Sequence, residues 1–129
     1  MIKDGVIVDT SILIDFLKGS EKYAEEITSL LLKNRAITTG IIIAELLQGI
    51  KNPKEEQNIS ELMTAINTLE ISTELWIKTG KLSSSLRKKG ISLPLTDIAI
   101  ATLALEFNLY VFTLDKHFEQ IPGIHLFTK

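Results

Sequence analysis

Residues 6–19 read VIVDTSILIDFLKG, a stretch that joins a strand-like run directly to a helical one. Its first three residues are β-branched and apolar, which favours a buried strand. Asp9 follows at once, and the apolar positions after it run to Gly19, a residue type that commonly ends helices. A carboxylate placed where a buried strand becomes a helix needs an explanation, because buried acids are rare without a partner.

The same alternation of short strands and longer helices continues along the chain. It predicts a three-layer α/β/α sandwich, with helices on both faces of a central parallel sheet of about five strands. The whole chain, 1–129, fits a single domain of this kind. Strands are predicted at 6–8, 36–38, 69–72, 110–113 and 124–127. Helices are predicted at 11–18, 21–34, 39–49, from Pro53 onward, at 73–89, and from Thr96 or Asp97 to Asn108.

The composition excludes several kinds of site. The chain contains no cysteine, so disulfides, thiolate zinc sites and cysteine nucleophiles are ruled out, and this suits a reducing, cytoplasmic location. Asp4 and Asp9 interrupt any signal peptide, and no apolar run approaches the ~18 residues of a membrane span. The net charge of -2 does not indicate a basic surface that coats nucleic acid, so any such contact has to be local.

Four acidic residues are placed so that this fold would bring them together. Asp9 and Asp115 follow strands, Asp97 begins the sixth helix, and Glu45 lies about a turn and a half into the third. The carboxyl ends of parallel strands and the N-termini of the crossover helices meet at one edge of the sheet, where α/β proteins bind ligands. Helical side chains lean toward the helix N-terminus, so Glu45 can reach this edge.

Each acid also has an ordinary structural explanation. Asp9 can cap the first helix, Asp97 can serve the N-terminus of the sixth, and Asp115 fits a turn. Glu45 fits an exposed helix position, although its neighbours IIIAELL are almost all apolar. Four carboxylates in one pocket would repel one another, and a divalent cation removes that cost. Mg²⁺ and Mn²⁺ prefer oxygen ligands and assist phosphodiester hydrolysis, whereas the sequence contains no acyl-transfer elbow and no P-loop.

Four blocks of sequence resemble, in order and spacing, those of PIN-domain proteins, and most closely those of VapC-type toxins from prokaryotic toxin–antitoxin pairs. The blocks are VDTSILIDFLKG, AELLQGI, LPLTDIAIATLAL and VFTLDKHFEQIPGI, and they cover nearly the whole chain. The resemblance implies a small Mg²⁺- or Mn²⁺-dependent endoribonuclease. Its chemistry would be in-line attack of a metal-activated water on RNA, leaving a 5′-phosphate and a 3′-hydroxyl. The resemblance also implies a homodimer and a cognate antitoxin that blocks the site.

The resemblance carries catalytic and metal-binding roles onto the four acids. Asp9 and Asp97 would be the principal metal ligands, and Glu45 and Asp115 would complete the pocket through water or a second ion. Hydroxyl groups at matching places are expected to hydrogen-bond ligands, water or phosphate, and these belong to Thr10, Ser11 and Thr113. Helix capping and strand-end polarity are the alternative explanations of these hydroxyls.

Positive charge near the expected site is sparse. Many relatives carry an arginine where this chain has Leu114, and Lys116 is the residue that can replace its phosphate contact. A basic run, RKK at 87–89, is explained by a solvated helix end with favourable dipole placement. The segment 90–96 spans about 20 Å when extended, so this run need not touch the site.

Other interpretations stay open or fail on particular residues. A haloacid-dehalogenase site needs a second Asp where Ser11 stands, and a receiver domain needs an acidic pair and a late Lys that are not evident. Within the PIN fold, a housekeeping RNA-processing nuclease and a non-cleaving scaffold that binds RNA or a partner remain alternatives. His117 is a candidate general base, although a position in the first turn of a short helix favours a merely exposed side chain.

Overall fold

A computed structural model describes residues 2–128, and the predicted α/β fold is confirmed there. Its strands form one sheet and are β1 (Val6–Val8), β2 (Ala36–Thr39), β3 (Asn67–Leu69), β4 (Tyr110–Phe112) and β5 (His125–Leu126). Its α-helices are α1 (Thr10–Leu17), α2 (Ala24–Leu32), α3 (Gly40–Gln48), α4 (Pro53–Ala65), α5 (Thr73–Lys88) and α6 (Leu95–Phe107). A short 3₁₀ helix, Lys116–Gln120, follows β4. Within the same range, no helix is long and apolar enough to cross a membrane.

The strand order β3-β2-β1-β4-β5 decides where a ligand can bind. Every neighbouring pair is parallel. The chain steps outward from β1 to β2 and β3 and then crosses back to β4 on the other side of β1. Right-handed crossovers in opposite directions place their helices on opposite faces of the sheet. The change of direction opens a crevice beyond the carboxyl ends of β1 and β4, and this is the edge at which Asp9 and Asp115 follow their strands.

Helix α6 forms the centre of one helical layer. Its sequence LTDIAIATLALEF is apolar on nearly every face, and every residue from Ile98 to Ala104 is buried. The one polar residue in that run, Thr102, satisfies its hydroxyl by donating to the Ile98 carbonyl at 2.8 Å. Asn108 ends the helix in the left-handed conformation, with φ of 54°. The buried helix therefore holds Asp97, its third residue, on a rigid support.

Several predicted boundaries were wrong. The strand predicted at 69–72 is β3 at Asn67–Leu69, because this strand lies at the sheet edge and its partly exposed, polar residues carry little apolar signal. β5 covers only the middle of the predicted 124–127. The sixth helix begins at Leu95, so Asp97 lies inside its first turn and does not cap it.

Candidate metal centre and active site

Asp9 lies at the end of β1 and is held at both carboxylate oxygens. It is the N-cap of α1, and its Oδ1 accepts a hydrogen bond from the Thr10 N–H at 2.8 Å. Its Oδ2 accepts from the Thr113 hydroxyl at 2.7 Å. The residue is only 8 % exposed, so these two donors fix the orientation of a nearly buried charge. Asp9 therefore has the capping role and also faces the crevice between β1 and β4.

Thr113 links the ends of the two central strands. Its hydroxyl donates to Asp9 and accepts the Asp115 N–H at 2.9 Å. Asp115 in turn caps the 3₁₀ helix, because its Oδ1 accepts the His117 N–H at 2.9 Å. One short turn after β4 thus places a hydroxyl, a carboxylate and an imidazole in succession at the edge of the sheet.

Asp97, Asp115 and His117 form the tightest group of possible metal ligands in residues 2–128. The His117 Nδ1 atom lies 2.9 Å from Asp97 Oδ2 and 3.1 Å from Asp115 Oδ1. Each of the three residues offers one ligand atom, and these atoms all lie within 4.8 Å of one another. Two carboxylate oxygens and an imidazole nitrogen are donors that divalent cations accept, so this group can hold a metal ion.

The electrostatics of this group also favour a cation. Burial raises the pKa of Asp97 above its ordinary 3.8, and the negative charges of Asp115 and Asp9 raise it further, while His117 lowers it. The pKa of His117 is raised above 6.5, first by its hydrogen bond to Asp97 and also by the charges of Asp115 and Asp97. Since the charges of Asp115 and Asp9 disfavour the ionised form of Asp97, a bound cation would relieve this repulsion.

Glu45 is connected to Asp9 through Thr10. The Thr10 hydroxyl donates to Glu45 Oε1 at 2.9 Å, while the Thr10 N–H is bound by Asp9. Glu45 also lines an apolar groove between α1, α3 and α4, whose other walls include Ile14, Leu46 and Ile59. The structure therefore joins Glu45 to Asp9, and the compact group of three possible ligands does not include either of them.

The remaining predicted supporting residues differ in their surroundings. Thr10 and Thr113 orient carboxylates, as described above. The Ser11 hydroxyl is buried and makes no hydrogen bond to any described residue. Lys116 is exposed and adjoins Asp115, and within residues 2–128 it forms no ion pair. A phosphate contact by Lys116 is thus sterically open.

The sequence interpretation undervalued His117, which contacts two of the four acids. The side chain is 42% exposed, as expected, but it is also held in place. Its backbone N–H donates to Asp115, and its ring nitrogen lies 2.9 Å from Asp97. The next residue, Phe118, is completely buried and anchors the turn. An Asp two residues before a His, followed by a large apolar residue, is the local signal that would have indicated a fixed imidazole.

The profile of the PIN domain family matches residues 6–124. That match covers more than nine tenths of the chain and includes the ends of β1 and β4 and the start of α6. The chain therefore belongs to the PIN domain family.

Individual relatives agree with this assignment. The chain is 31% identical over 127 residues to ribonuclease VapC1 of Methanocaldococcus jannaschii, with 96% of this chain and 88% of that protein covered. It is similar to the VapBC2 structure from Rickettsia felis bound to a promoter DNA fragment, with a TM-score of 0.79, 26% identity, and coverage of 95% and 96%. It is also similar to a toxin–antitoxin complex from Klebsiella pneumoniae, with a TM-score of 0.73, 25% identity, and coverage of 93% and 95%.

Proposed function

We propose that this chain is a ribonuclease of the VapC type and the toxin of a toxin–antitoxin pair. One observation carries the proposal. A continuous set of contacts runs from Asp9 through Thr113, Asp115 and His117 to Asp97, at the crevice between β1 and β4. The PIN family membership and the ribonuclease relatives support the same chemistry. RNA is the proposed substrate, a cytoplasmic location is part of the proposal, and the domain is proposed to comprise residues 1–129.

Asp97, Asp115 and His117, with Asp9 behind them, are proposed to hold Mg²⁺ or Mn²⁺. When bound, such an ion supplies Lewis acidity and charge neutralisation for hydrolysis of a phosphodiester. The imidazole among the ligands favours Mn²⁺, which has the higher affinity for nitrogen and oxygen sites in the usual order. Burial first, and then the charges of Asp115 and Asp9, raise the pKa of Asp97, so a bound cation would favour its ionised form.

The other residues are proposed to position the reacting groups. Thr10 and Thr113 keep the carboxylates of Glu45 and Asp9 in fixed orientations, and fixed orientation matters because small misplacements cost catalysis heavily. Lys116, exposed beside the acids, is proposed to contact a phosphate oxygen of the substrate. Glu45, at the rim, is proposed to complete the pocket through water.

A cognate antitoxin and a homodimeric assembly are the proposed protein partners. Similarity to the VapBC2 and toxin–antitoxin complexes supports the antitoxin. The apolar groove that reaches Glu45 supports it as well, because a partner segment lying there would approach the acids. Sedimentation of the purified chain, alone and with the product of an adjacent small gene, would test both parts. A monomeric chain that binds no such product would contradict both proposals and would favour a housekeeping PIN nuclease.

The ribonuclease proposal is tested by cleavage of mixed-sequence RNA by the purified protein after chelation and after addition of Mg²⁺ or Mn²⁺. Asp9→Asn should lose cleavage, because the substitution removes the charge while leaving the α1 cap in place. Asp15→Asn is the matched control on α1, since Asp15 makes no side-chain hydrogen bond or ion pair among residues 2–128 and should cleave like the wild type.

If the Asp9→Asn variant still cleaves RNA, and cleavage does not depend on added metal, the proposal is contradicted and a contaminating nuclease is indicated. RNA binding without cleavage would instead support a non-cleaving PIN-like scaffold.

A further inference from the structure

We propose that the basic end of α5, formed by Arg87, Lys88 and Lys89, binds the phosphate backbone of RNA beside the cleavage site. We call these three residues the α5 basic end. The inference rests on the proposed ribonuclease function and adds to it the surface over which the flanking nucleotides of the substrate lie.

The sequence around α5 has a charge opposite to that of the whole chain. The chain has a net charge of -2, yet residues 75–96 contain no acid and five cations. One of them, Lys78, is neutralised by Glu106 at 2.6 Å. The run RKK within this stretch is the only place in the sequence where three cations are consecutive. An acidic protein that binds RNA needs a local basic surface, and this is its most concentrated one.

The packing of α5 against α6 places the α5 basic end on the active-site side of the molecule. The start of α5 meets the end of α6, since Lys78 pairs with Glu106, and Leu82 and Thr102 line one depression further along. The two helices therefore run antiparallel, and the last turn of α5 lies at the same end as the first turn of α6. That first turn contains Asp97. The basic run and Asp97 therefore lie at the same end of the α5–α6 pair, joined by the segment 90–96.

A fixed turn holds the α5 basic end in place. Gly90, with φ of 81°, ends the helix, its N–H donates to the Arg87 carbonyl, and the Ile91 N–H donates to the Leu86 carbonyl, both at 2.9 Å. This pair of bonds is the Schellman arrangement. Leu93 is buried a little further on and fastens the connection to α6. The cations therefore project from a rigid support, which reduces the entropy lost when a ligand orders them.

The α5 basic end is open to a ligand. All three residues are exposed, and none forms an ion pair with another described residue. Between them and Asp97 lies an uncharged segment, 90–96, of which Ser92 and the residues from Pro94 to Thr96 are exposed. Favourable interaction with the helix dipole explains why one cation is tolerated there, but it does not require three. An RNA backbone carries a negative charge at every nucleotide and can pair with all three cations. The RNA must already approach this end of the α5–α6 pair to reach Asp97.

The test is RNA binding by two variants that each lose two charges. Lys88→Gln/Lys89→Gln alters the α5 basic end, and Lys3→Gln/Lys33→Gln alters two exposed lysines before β1 and at the end of α2, at the opposite end of the strands. The ligand is a fluorescent single-stranded RNA of mixed sequence, titrated at several salt concentrations without divalent metal. Cleavage with Mn²⁺ and melting temperature are measured in parallel.

We expect the first variant to bind about 10-fold more weakly at moderate salt and to lose roughly 1.4 from the slope of log affinity against log salt, which is about 0.7 for each phosphate contact. The control should keep the wild-type slope, and both variants should melt like the wild type. If wild type neither binds nor cleaves RNA, the proposed function itself fails. If wild type cleaves and the two variants behave alike, only the role of the α5 basic end is overturned. A changed assembly state with an unchanged slope would also overturn it and would make this surface a protein interface.

Discussion

At the scale of single residues, two of the candidate catalytic acids, Asp9 and Asp115, also cap helices. Asp9 caps α1 with Oδ1 and accepts the Thr113 hydroxyl with Oδ2. Asp115 caps the 3₁₀ helix with Oδ1, and the same oxygen lies 3.1 Å from His117 Nδ1. The structural explanations weighed for these acids were therefore right, and they do not compete with a metal-binding role. Asp97 differs because its side chain does not cap α6 and, among residues 2–128, has a hydrogen-bond partner only in His117. Substitution of Asp97 therefore distinguishes most clearly between a contribution to stability and a contribution to activity.

Asp97→Asn should abolish cleavage without lowering the melting temperature of the metal-free protein. The amide keeps the shape and can still accept the His117 hydrogen bond, while the charge that burial and neighbouring acids disfavour is gone. We expect activity to fall about 100-fold or more, beyond the usual effect of residues that only support a metal site. Thermal melting in a chelator and RNA cleavage with Mn²⁺ check the two parts. A drop of several degrees would mean that Asp97 mainly stabilises the start of α6.

The contacts of His117 with Asp97 and Asp115 predict how stability depends on pH. Because the pKa of His117 is raised in the folded state, its stabilising effect is complete below 6.5 and is lost as the pH rises through the folded pKa. In a chelator, the melting temperature of wild type minus that of His117→Gln should therefore shrink between about pH 6 and pH 9. His125→Gln, the same change at an exposed position, is the control. A difference that grows over this range would show that the imidazole is bound in its neutral form.

At the scale of elements, the buried helix α6 was easier to predict than the partly exposed strand β3. The apolar sequence of α6 favours a buried helix, and its residues from Ile98 to Ala104 are all buried. β3 was misplaced because an edge strand of mixed polarity resembles a loop in sequence. The edge at which the acids meet followed from the alternation of strands and helices. The contacts of His117 did not, because they depend on how a five-residue 3₁₀ helix is turned toward α6, and no periodic pattern encodes that.

Leu103→Ala should destabilise the fold strongly, since Leu103 is completely buried in the middle of α6. Removing its side chain leaves a cavity, and the free energy of unfolding should fall by about 2–5 kcal/mol in denaturant titration. Leu105→Ala is the matched control on the same helix, where the residue is 41% exposed and the expected loss is under about 1 kcal/mol. Equal losses at the two positions would mean that helix propensity, rather than core packing, determines the stability of α6.

At the scale of the whole molecule, topology gathers charges that are far apart in sequence. The change of direction at β1 brings together acids from the first and last thirds of the chain. The antiparallel α5–α6 pair puts the basic run 87–89 at the end of the pair where the first turn of α6 contains Asp97. The proposed cation site and the proposed surface for an RNA backbone would then share one end of the molecule. The places of Asp9 and Asp115 after strands are evident in the sequence. The place of the basic run is not, because it depends on the path of the segment 90–96, which composition does not encode.

Divalent metal should stabilise the whole fold, and the effect should require the acids. A ligand that binds only the native state adds about 2.7 kcal/mol at a hundredfold excess over its dissociation constant, and Mn²⁺ should act at least as strongly as Mg²⁺. Protons compete for the same oxygens, so the gain should fade as the pH falls toward the carboxylate pKa values. Thermal melting with increasing Mn²⁺ compares wild type with Asp9→Asn/Asp97→Asn and with the control Asp4→Asn/Asp15→Asn. If Mn²⁺ raises the melting temperature of the wild type and the control but not of Asp9→Asn/Asp97→Asn, the ion binds at the end of β1. Equal increases in all three proteins would place the ion elsewhere and would remove the main physical support for a metal-dependent nuclease.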